Sequence, residues 1–335
     1  MWRRSGEKRK TIAIVGTGGS IATVARSPFD LVDYGSRGRL ISAEDVFAMF
    51  SPLKELAEFE FVEMAAVHSE AMSVCEWSTL AATIEELSAY GQIDGIVVLH
   101  GTSTLEEAAW FLHLTTTVSL PIVITGAMRP ANGLSSDAAI NLAAAVRAAC
   151  YSPLADLGVV AVLDGEIHSA REVAKVSTYR LRSFESGEVG PIGFIDAAGH
   201  VDLYRALRPR SKGFTLDAAK SAPRVDVIFS HDGADGVVVD ALTAAGSAGL
   251  IVASIAPGVC SPGQLAALEA AAQSGVTVAF SLRCGRGKVL LSEVLTSRGF
   301  LAADNLSPQK SRILLALALG AGCTPGEIQL IFDQH

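Results

Sequence analysis

Residues 96–104 read IVVLHGTST, an apolar run followed at once by a glycine among four polar residues. The run Ile96–Leu99 is too short for a helix and does not alternate with polar residues, so it predicts a strand buried on both faces, as in a parallel sheet. Thr104 and Glu107 have the spacing of a helix capping box. A strand-to-helix turn lies at the carboxyl end of its strand, where open α/β folds bind ligands. The stretch predicts an α/β fold with a candidate site, although a helix cap alone would give the same pattern.

A second strand-to-loop transition opens the chain, where the strand 11–15 is followed by GTGGSIA at residues 16–22. A strand before GxG is also how a dinucleotide-binding domain begins. Here Ile21 stands in place of the third glycine of GxGxxG, and no regular helix and second strand follow. The pattern therefore disfavours a nucleotide site.

Strands and helices alternate through most of the chain, with strands predicted at 59–67, 121–125 and 158–163 and a helix at 136–150. Beyond a stretch without periodicity, apolar runs again alternate with helical patterns. The predicted fold is a larger N-terminal α/β domain, with a mostly parallel sheet flanked by helices, followed by a smaller α/β C-terminal domain. The predicted boundaries are a basic tail at 1–10, an N-terminal catalytic domain at 11–204, a linker at 205–224 and a C-terminal domain at 225–335.

Composition excludes several classes of partner. The 335 residues are 50% hydrophobic, enough for a large core, and 27 basic against 35 acidic residues give a net charge of -8. We expect no nucleic acid partner, because only the start RRSGEKRK is basic, and it predicts a solvated tail rather than a signal peptide. No apolar run reaches membrane-spanning length. These observations predict a cytoplasmic protein without a membrane partner.

The side chains that usually hold metals or form triads lack the necessary spacing. The five cysteines are scattered without CxxC, the seven histidines are dispersed without HExxH, and no GxSxG is present. We therefore expect no metal, no cofactor and no disulfide framework. Residues 23–39 mix Pro, Gly, Asp and Arg without periodicity, which is typical of a flexible lid. Tyr34 is the residue of this lid segment (23–39) with both an aromatic face and an ionisable hydroxyl.

Motifs along nearly the whole chain resemble the bacterial L-asparaginase family, the amidohydrolases with two active-site threonines. They are TGGSIA (17–22), HGTSTLEEAAWFL (100–112), PIVITGAMRP (121–130), SSDAAINL (135–142), the lysine of REVAKVST (171–178), SPQKSRILLALAL and IQLIF. The resemblance implies a cofactor-free hydrolase that releases ammonia from a small amide, with L-asparagine as the first candidate. It also implies a homotetramer, or at least a dimer, because family sites are completed across a subunit contact.

The resemblance implies a catalytic role for four residues and a contact with the substrate amide for a fifth, Ala127. Ser20 stands where the family has its nucleophilic threonine, and Tyr34 would lie beside it. Thr102 matches the second active threonine and Lys175 the catalytic lysine, so the two would form a proton relay. Ala127 would offer its backbone carbonyl to the scissile amide nitrogen. Taken singly, Ser20 and Thr102 could be helix caps, Tyr34 an exposed loop tyrosine and Lys175 a surface lysine.

For substrate recognition the resemblance implies that Ser69 binds the α-carboxylate and Glu70 the α-ammonium. The chain also departs from the family. Ser103 replaces the aspartate of HGTDT that anchors the ammonium, and Pro257 aligns with an asparagine contributed by a neighbouring subunit. The glutamate that supports the lid tyrosine has no clear counterpart between Cys284 and Arg298. Two alternatives stay open: the same chemistry on a small amide or imide lacking the α-ammonium, and a small-molecule sensor without turnover.

Overall fold

The computed structural model describes residues 9–65, 68–206 and 213–335. The chain divides into two compact units, Met1–Arg210 and Ser211–His335. The division falls within 205–224, but this stretch also contains the helix Leu216–Lys220, which belongs to the second unit. The boundaries of the domains stay a prediction.

The first unit contains a sheet of eight strands flanked by helices, and two separate pairs of short strands. The strands of this unit are β1 Thr11–Gly16, β2 Thr23–Val24, β3 Arg39–Leu40, β4 Glu58–Glu63, β5 Gly95–Leu99, β6 Ile122–Thr125, β7 Val159–Leu163, β8 Glu166–Ser169, β9 Ala174–Lys175, β10 Phe184–Glu185, β11 Gly193–Ile195 and β12 Val201–Leu203. Its α-helices are α1 Tyr34–Arg37, α2 Ala43–Met49, α3 Val74–Ala89, α4 Leu105–Thr115 and α5 Ala138–Ala149.

The large sheet has the order β12-β11-β8-β7-β6-β5-β1-β4. Strands β4, β1, β5, β6 and β7 are parallel, whereas β8, β11 and β12 add antiparallel pairs at one side. Every residue of β5 is buried, as expected for a central parallel strand covered by helices on both faces. The predicted mostly parallel sheet is confirmed.

The second unit is a smaller α/β fold. Its parallel sheet has the order β13-β14-β15-β16, and its core includes Leu250, Val252 and Phe280. The strands are β13 Val225–Phe229, β14 Gly249–Ser254, β15 Thr277–Leu282 and β16 Leu301–Ala302. The helices are α6 Leu216–Lys220, α7 Val237–Ala244, α8 Pro262–Gln273, α9 Glu293–Thr296, α10 Pro308–Gly320 and α11 Pro325–Gln334.

Two local predictions were wrong. Thr104 is the N-cap residue of α4, but its side chain makes no capping bond, and its hydroxyl instead donates to the carbonyl of Ser69 at 2.9 Å. The strand predicted at 59–67 ends at Glu63, and residues 66–67 lie outside the described residues. The lid segment contains short regular elements, since β2 pairs with β3 and α1 lies between them, and its flexibility stays a prediction.

The described residues contain neither a membrane-spanning helix nor a cluster of metal-binding side chains. None of the helices in residues 9–65, 68–206 and 213–335 is long and apolar enough to cross a membrane. Within the same ranges no group of three or more histidine, cysteine or acidic side chains could hold a metal ion.

Candidate active site

The loops that follow β1, β5 and β6 start at one edge of the large sheet. Gly16 is in register with Leu99, and Leu99 with Thr125, so the three strands end side by side. Thr17 then donates to the carbonyl of Leu99 from its backbone N–H at 3.1 Å and from its hydroxyl at 2.8 Å. The loops that carry Ser20 and Thr102 therefore leave the sheet already bonded to each other.

Two glycines allow these loops to pack backbone against backbone. Gly19 has a φ of 85°, a left-handed conformation that favours glycine, and a Cβ there would lie 2.4 Å from the Cα of Gly101. A Cβ on Gly101 would in turn lie 2.6 Å from the hydroxyl oxygen of Ser69. Side chains at either position would separate the three loops and the functional residues that they carry.

A cavity of about 250 Å³ lies where these loops meet. It brings together seven of the eight predicted site residues: Ser20, Tyr34, Ser69, Glu70, Thr102, Ser103 and Lys175. The exception is Ala127, which is completely buried and does not line the cavity, although its neighbour Met128 does. Among the described residues of the wall, Glu70 has the one carboxylate and Lys175 the one amine.

Ser20 and Tyr34 form the first of two polar pairs in the cavity. Their hydroxyl oxygens are 2.8 Å apart. Ser20 begins a short 3₁₀ turn whose N-cap residue is Gly19, so the Ser20 side chain is not the cap of that turn. Tyr34 begins α1, and the pairing of β2 with β3 closes the lid segment at its base.

Thr102 and Lys175 form the second pair, in which the Lys175 Nζ lies 2.8 Å from the Thr102 Oγ1. Thr102 is not a helix cap, because the N-cap residue of α4 is Thr104. Lys175 is not a surface lysine, because its side chain is half-buried. Burial lowers the pKa of Lys175 below its ordinary 10.5, and the negative charge of Glu106 partly opposes this shift. The amine can lose its proton more readily than a surface lysine, and a neutral amine can accept a proton from the threonine hydroxyl.

His100, two residues before Thr102 in the chain, is completely buried. Its Nδ1 is 2.8 Å from the carbonyl oxygen of Gly101, so the imidazole donates a hydrogen bond there. Burial lowers the pKa of His100 to about 4 because a charged imidazolium would lose its hydration. His100 is therefore a neutral structural donor near neutral pH.

The SSDAAINL motif supports the loop that follows β6. The carboxylate of Asp137 accepts the backbone N–H groups of Met128 at 2.8 Å and Arg129 at 3.1 Å. The side-chain amide of Asn141, one helical turn along α5, donates to the carbonyl of Gly126 at 3.0 Å. Sequence reasoning found the motif but gave these residues no role. Their spacing of four on a helix was the available signal.

Four further wall residues come from irregular segments and were missed by sequence reasoning. Leu31 and Val32 belong to the lid segment, and Thr178 and Tyr179 follow β9. Val32 and Tyr179 are strongly exposed, with 77% and 73% of their surface accessible. No periodicity marks such positions, because their place in the cavity depends on the path of a loop.

Ser103 and Pro257, the two residues that depart from the family pattern, occupy different environments. Ser103 is exposed and lines the cavity beside Thr102. Pro257 lies in the second unit, exposed in the turn between Ile255 and Val259.

Comparisons with known proteins agree with this fold. Residues 11–208 match the family model of the asparaginase N-terminal domain, and residues 224–332 match the glutaminase/asparaginase C-terminal domain. The chain is 33% identical to L-asparaginase 2 of Bacillus subtilis (strain 168), an alignment that covers 97% of this chain and 86% of the relative. It is 32% identical to L-asparaginase 2 of Escherichia coli (strain K12), with 97% and 93% covered.

A solved structure is also similar over the full length. The crystal structure of a probable cytoplasmic L-asparaginase from Campylobacter jejuni superposes with a TM-score of 0.92 at 33% identity, covering 98% of this chain and 100% of that one. The chain belongs to the asparaginase family, and the resemblance drawn from its motifs is confirmed.

Proposed function

We propose that this protein is an L-asparaginase-type amidohydrolase, an enzyme that releases ammonia from a small amide, with L-asparagine as its first substrate. The observation that carries the proposal is the presence of the two polar pairs in one cavity. Ser20 contacts Tyr34, and Thr102 contacts the partly desolvated amine of Lys175. Relatives named L-asparaginase and glutaminase-asparaginase support the same reaction class.

In the proposed first step the Ser20 hydroxyl attacks the amide carbon. The hydroxyl proton leaves toward the Thr102 and Lys175 pair, and the carbonyl oxygen becomes an oxyanion. Collapse of this intermediate breaks the carbon–nitrogen bond, and the nitrogen takes a proton and leaves as ammonia. The product of this step is an ester on Ser20. A water molecule, activated by the same relay, then attacks the ester, releasing the carboxylic acid and restoring the serine hydroxyl.

Backbone donors near the two glycines are the proposed oxyanion stabilisers. The loops around Gly19 and Gly101, which carry Ser20 and Thr102, are in direct contact, and their backbone N–H groups are the proposed donors to the oxyanion. Ala127 is proposed to accept a hydrogen bond from the leaving nitrogen through its backbone carbonyl, beside the part of the wall formed by its neighbour Met128.

Substrate recognition is proposed to use Ser69 and Glu70. Ser69 is buried and fixed by its contacts with the loop of Gly101, which suits a group that orients a carboxylate. Glu70 is exposed at the wall and is the carboxylate available for an ammonium. Ser103 adds a neutral hydroxyl where the family has an anion, so the cavity binds an ammonium less strongly than a cavity with two carboxylates.

The two alternatives receive less support. A sensor without turnover has no need for a lysine amine held at 2.8 Å from a hydroxyl in a partly desolvated position. An amide or imide without the α-ammonium would leave Glu70 without a function. The loss of an anion at Ser103 is the observation that favours this second substrate class.

We further propose a cofactor-free homotetramer, or at least a homodimer, located in the cytoplasm. The oligomer rests on the family resemblance, in which neighbouring subunits complete each site. The location rests on a relative named as cytoplasmic, whereas another relative is named as periplasmic.

An ammonia-release screen tests the proposal. The substrates are L-asparagine, L-glutamine, their D forms, and succinamic acid, which is the asparagine skeleton without the amino group. Ammonia from L-asparagine supports the proposal, and faster release from succinamic acid supports the altered substrate class. A protein that binds L-asparagine but releases no ammonia from any of these amides would be the sensor.

A further inference from the structure

Lys175 is carried by a part of the chain that has little regular structure of its own. It is the second residue of β9, which pairs with β10 in a two-stranded sheet separate from the large sheet. Phe184 is the residue opposite Lys175. Short two-stranded pairs are of marginal stability by themselves. The position of the lysine amine therefore depends on contacts that hold the neighbouring chain.

The turn before β9 is closed by side-chain bonds to Ser169, the last residue of β8. Ser169 is buried, and its hydroxyl donates to the Glu172 carboxylate at 2.8 Å. In return the Glu172 N–H donates to the Ser169 Oγ at 3.3 Å, and the Val173 N–H donates to the Ser169 carbonyl at 3.0 Å. These bonds hold the turn 169–175 against the last residue of β8.

Arg205 holds the same carboxylate from the other side. Its two terminal nitrogens contact the two oxygens of Glu172, one of them at 3.4 Å, and it also donates to the carbonyl of Gly190 at 3.0 Å. Only 27% of the Arg205 side chain and 15% of the Glu172 side chain are accessible. A shielded, two-point arginine–carboxylate contact is stronger and more directional than an exposed ion pair.

We propose that Glu172 and Arg205 are positioning residues that hold the turn 169–175 so that the Lys175 amine reaches Thr102. The inference rests on the proposed function, in which these two residues form the proton relay. Neither Glu172 nor Arg205 lines the cavity. They act through the chain that connects Glu172 to Lys175, three residues later.

Loosening the turn changes the proton affinity of the lysine. Burial lowers the pKa of Lys175, and the charge of Glu106 opposes this shift. An amine that moves toward water recovers a pKa near its ordinary value, so less of it is neutral near neutral pH. The titratable and charged groups around it are Glu106 on α4, Glu185 on β10, Arg171 and Glu172 on its own segment, and Tyr34, His68, Glu70 and Tyr179 in the cavity wall.

The test compares Glu172→Gln with the wild type in ammonia release from L-asparagine across pH. Glutamine keeps the shape and one acceptor but removes the charge that binds Arg205. We expect kcat near neutral pH to fall roughly ten- to a hundredfold with little change in KM, as misplacement of a reacting group does. We expect the rising limb of the pH profile to move to higher pH, so that alkaline conditions restore part of the rate.

A matched control is Glu58→Gln, which breaks the ion pair of Glu58 with Arg9 at 2.7 Å, at the opposite end of the sheet. This variant should keep the wild-type kcat and pH profile. Arg205→Lys is a second test variant. It keeps the positive charge but loses the two-point contact, and we expect a smaller shift in the same direction.

A readout without substrate separates this inference from the proposed function. Competitive labelling of the Lys175 amine with an amine-reactive reagent across pH, followed by mass spectrometry, reports its pKa directly. A higher pKa in Glu172→Gln and Arg205→Lys supports the inference, even if the wild type releases ammonia from no amide. Labelling curves and pH profiles that match those of the wild type and Glu58→Gln would overturn it, even if L-asparagine is hydrolysed.

Discussion

The amine of Lys175 and the hydroxyl of Thr102 are 2.8 Å apart although 73 positions separate them in the chain. Lysine in an ordinary surface environment is charged near neutral pH and cannot accept a proton. Partial burial lowers the pKa of Lys175 and so favours the neutral amine, which is the form that can act as a base toward Thr102.

This contact predicts how the rate depends on pH. The rate of ammonia release should rise with pH through a pKa below 10.5, since the neutral amine of Lys175 is the active form. Lys175→Arg keeps a positive charge at every accessible pH and should lose this rising limb together with most of the activity. Rates measured across pH for both proteins check the prediction. An unchanged profile in Lys175→Arg would show that another group is the base.

Removal of the Ser20 hydroxyl should abolish turnover. Loss of a hydroxyl nucleophile costs at least about 10⁴-fold in kcat in other hydrolases, so Ser20→Ala should fall into that range. Ser20→Thr should retain activity, because the hydroxyl survives and the family accommodates the extra methyl. Steady-state kinetics with L-asparagine measure both variants. Wild-type activity in Ser20→Ala would remove Ser20 from the mechanism.

The lid segment should close over bound ligand. Its beginning is tied down, because the Asn132 side chain bonds to both backbone groups of Ala25 at 2.7 and 2.8 Å, but Phe29 and Val32 are each 77% exposed. We expect proteases to cut between Phe29 and Arg37 in the free protein, and L-aspartate, the expected product, to suppress this cleavage. Limited proteolysis with mass spectrometry locates the cuts.

Tyr34→Phe provides the control for the lid. This variant loses the hydrogen bond between Tyr34 and Ser20 that holds the segment near the cavity. Its free form should be cut faster than the wild type. Equal protection with and without L-aspartate would contradict closure of the lid.

Ser103→Asp should strengthen binding of L-asparagine. A second carboxylate beside Glu70 would partner the substrate ammonium, and an ion pair of intermediate burial is worth roughly 1.4 kcal/mol, or a tenfold lower KM. The added anion also favours the charged form of Lys175, so the rising limb of the pH profile should move to higher pH. Ser103→Asn is the neutral control of similar size. Equal KM values in wild type and Ser103→Asp would indicate that another group binds the ammonium.

His100 should make the fold sensitive to acid. Its pKa is about 4 in the folded protein and about 6.5 when unfolded, so between these values the unfolded chain binds a proton that the folded chain does not. The contribution is fully present above about pH 6.5 and is lost as pH falls toward 4. The loss reaches roughly 3 kcal/mol, at about 1.4 kcal/mol per pH unit.

His100→Gln separates the contribution of His100 from those of the carboxylates and the other histidines. The amide can still donate to the Gly101 carbonyl but does not titrate. Its free energy of unfolding, measured with urea at several pH values, should fall less steeply below about pH 6.5 than that of the wild type. Parallel curves for the two proteins would show that His100 does not titrate on unfolding.

The sequence by itself determined the fold class and the family. Residues 96–99 are apolar without alternation, and only a strand covered on both faces buries all of them, so the parallel sheet follows from local pattern. The family resemblance of the motifs then implied seven residues that line the cavity. Their loops meet because parallel strands end side by side and bring the loops that follow them together.

Tertiary structure decided the properties that depend on the path of loops and on long-range contacts. Thr104 has the local signature of a capping box, yet its hydroxyl bonds to Ser69, which the fold places beside it. Tyr179 lines the cavity without any local signal. The pairing of Glu172 with Arg205 joins residues 33 positions apart. The local sequence pattern predicts which side chains are buried. The hydrogen bonds of a site and the pKa values of its groups depend instead on which residues from distant parts of the chain are buried beside them.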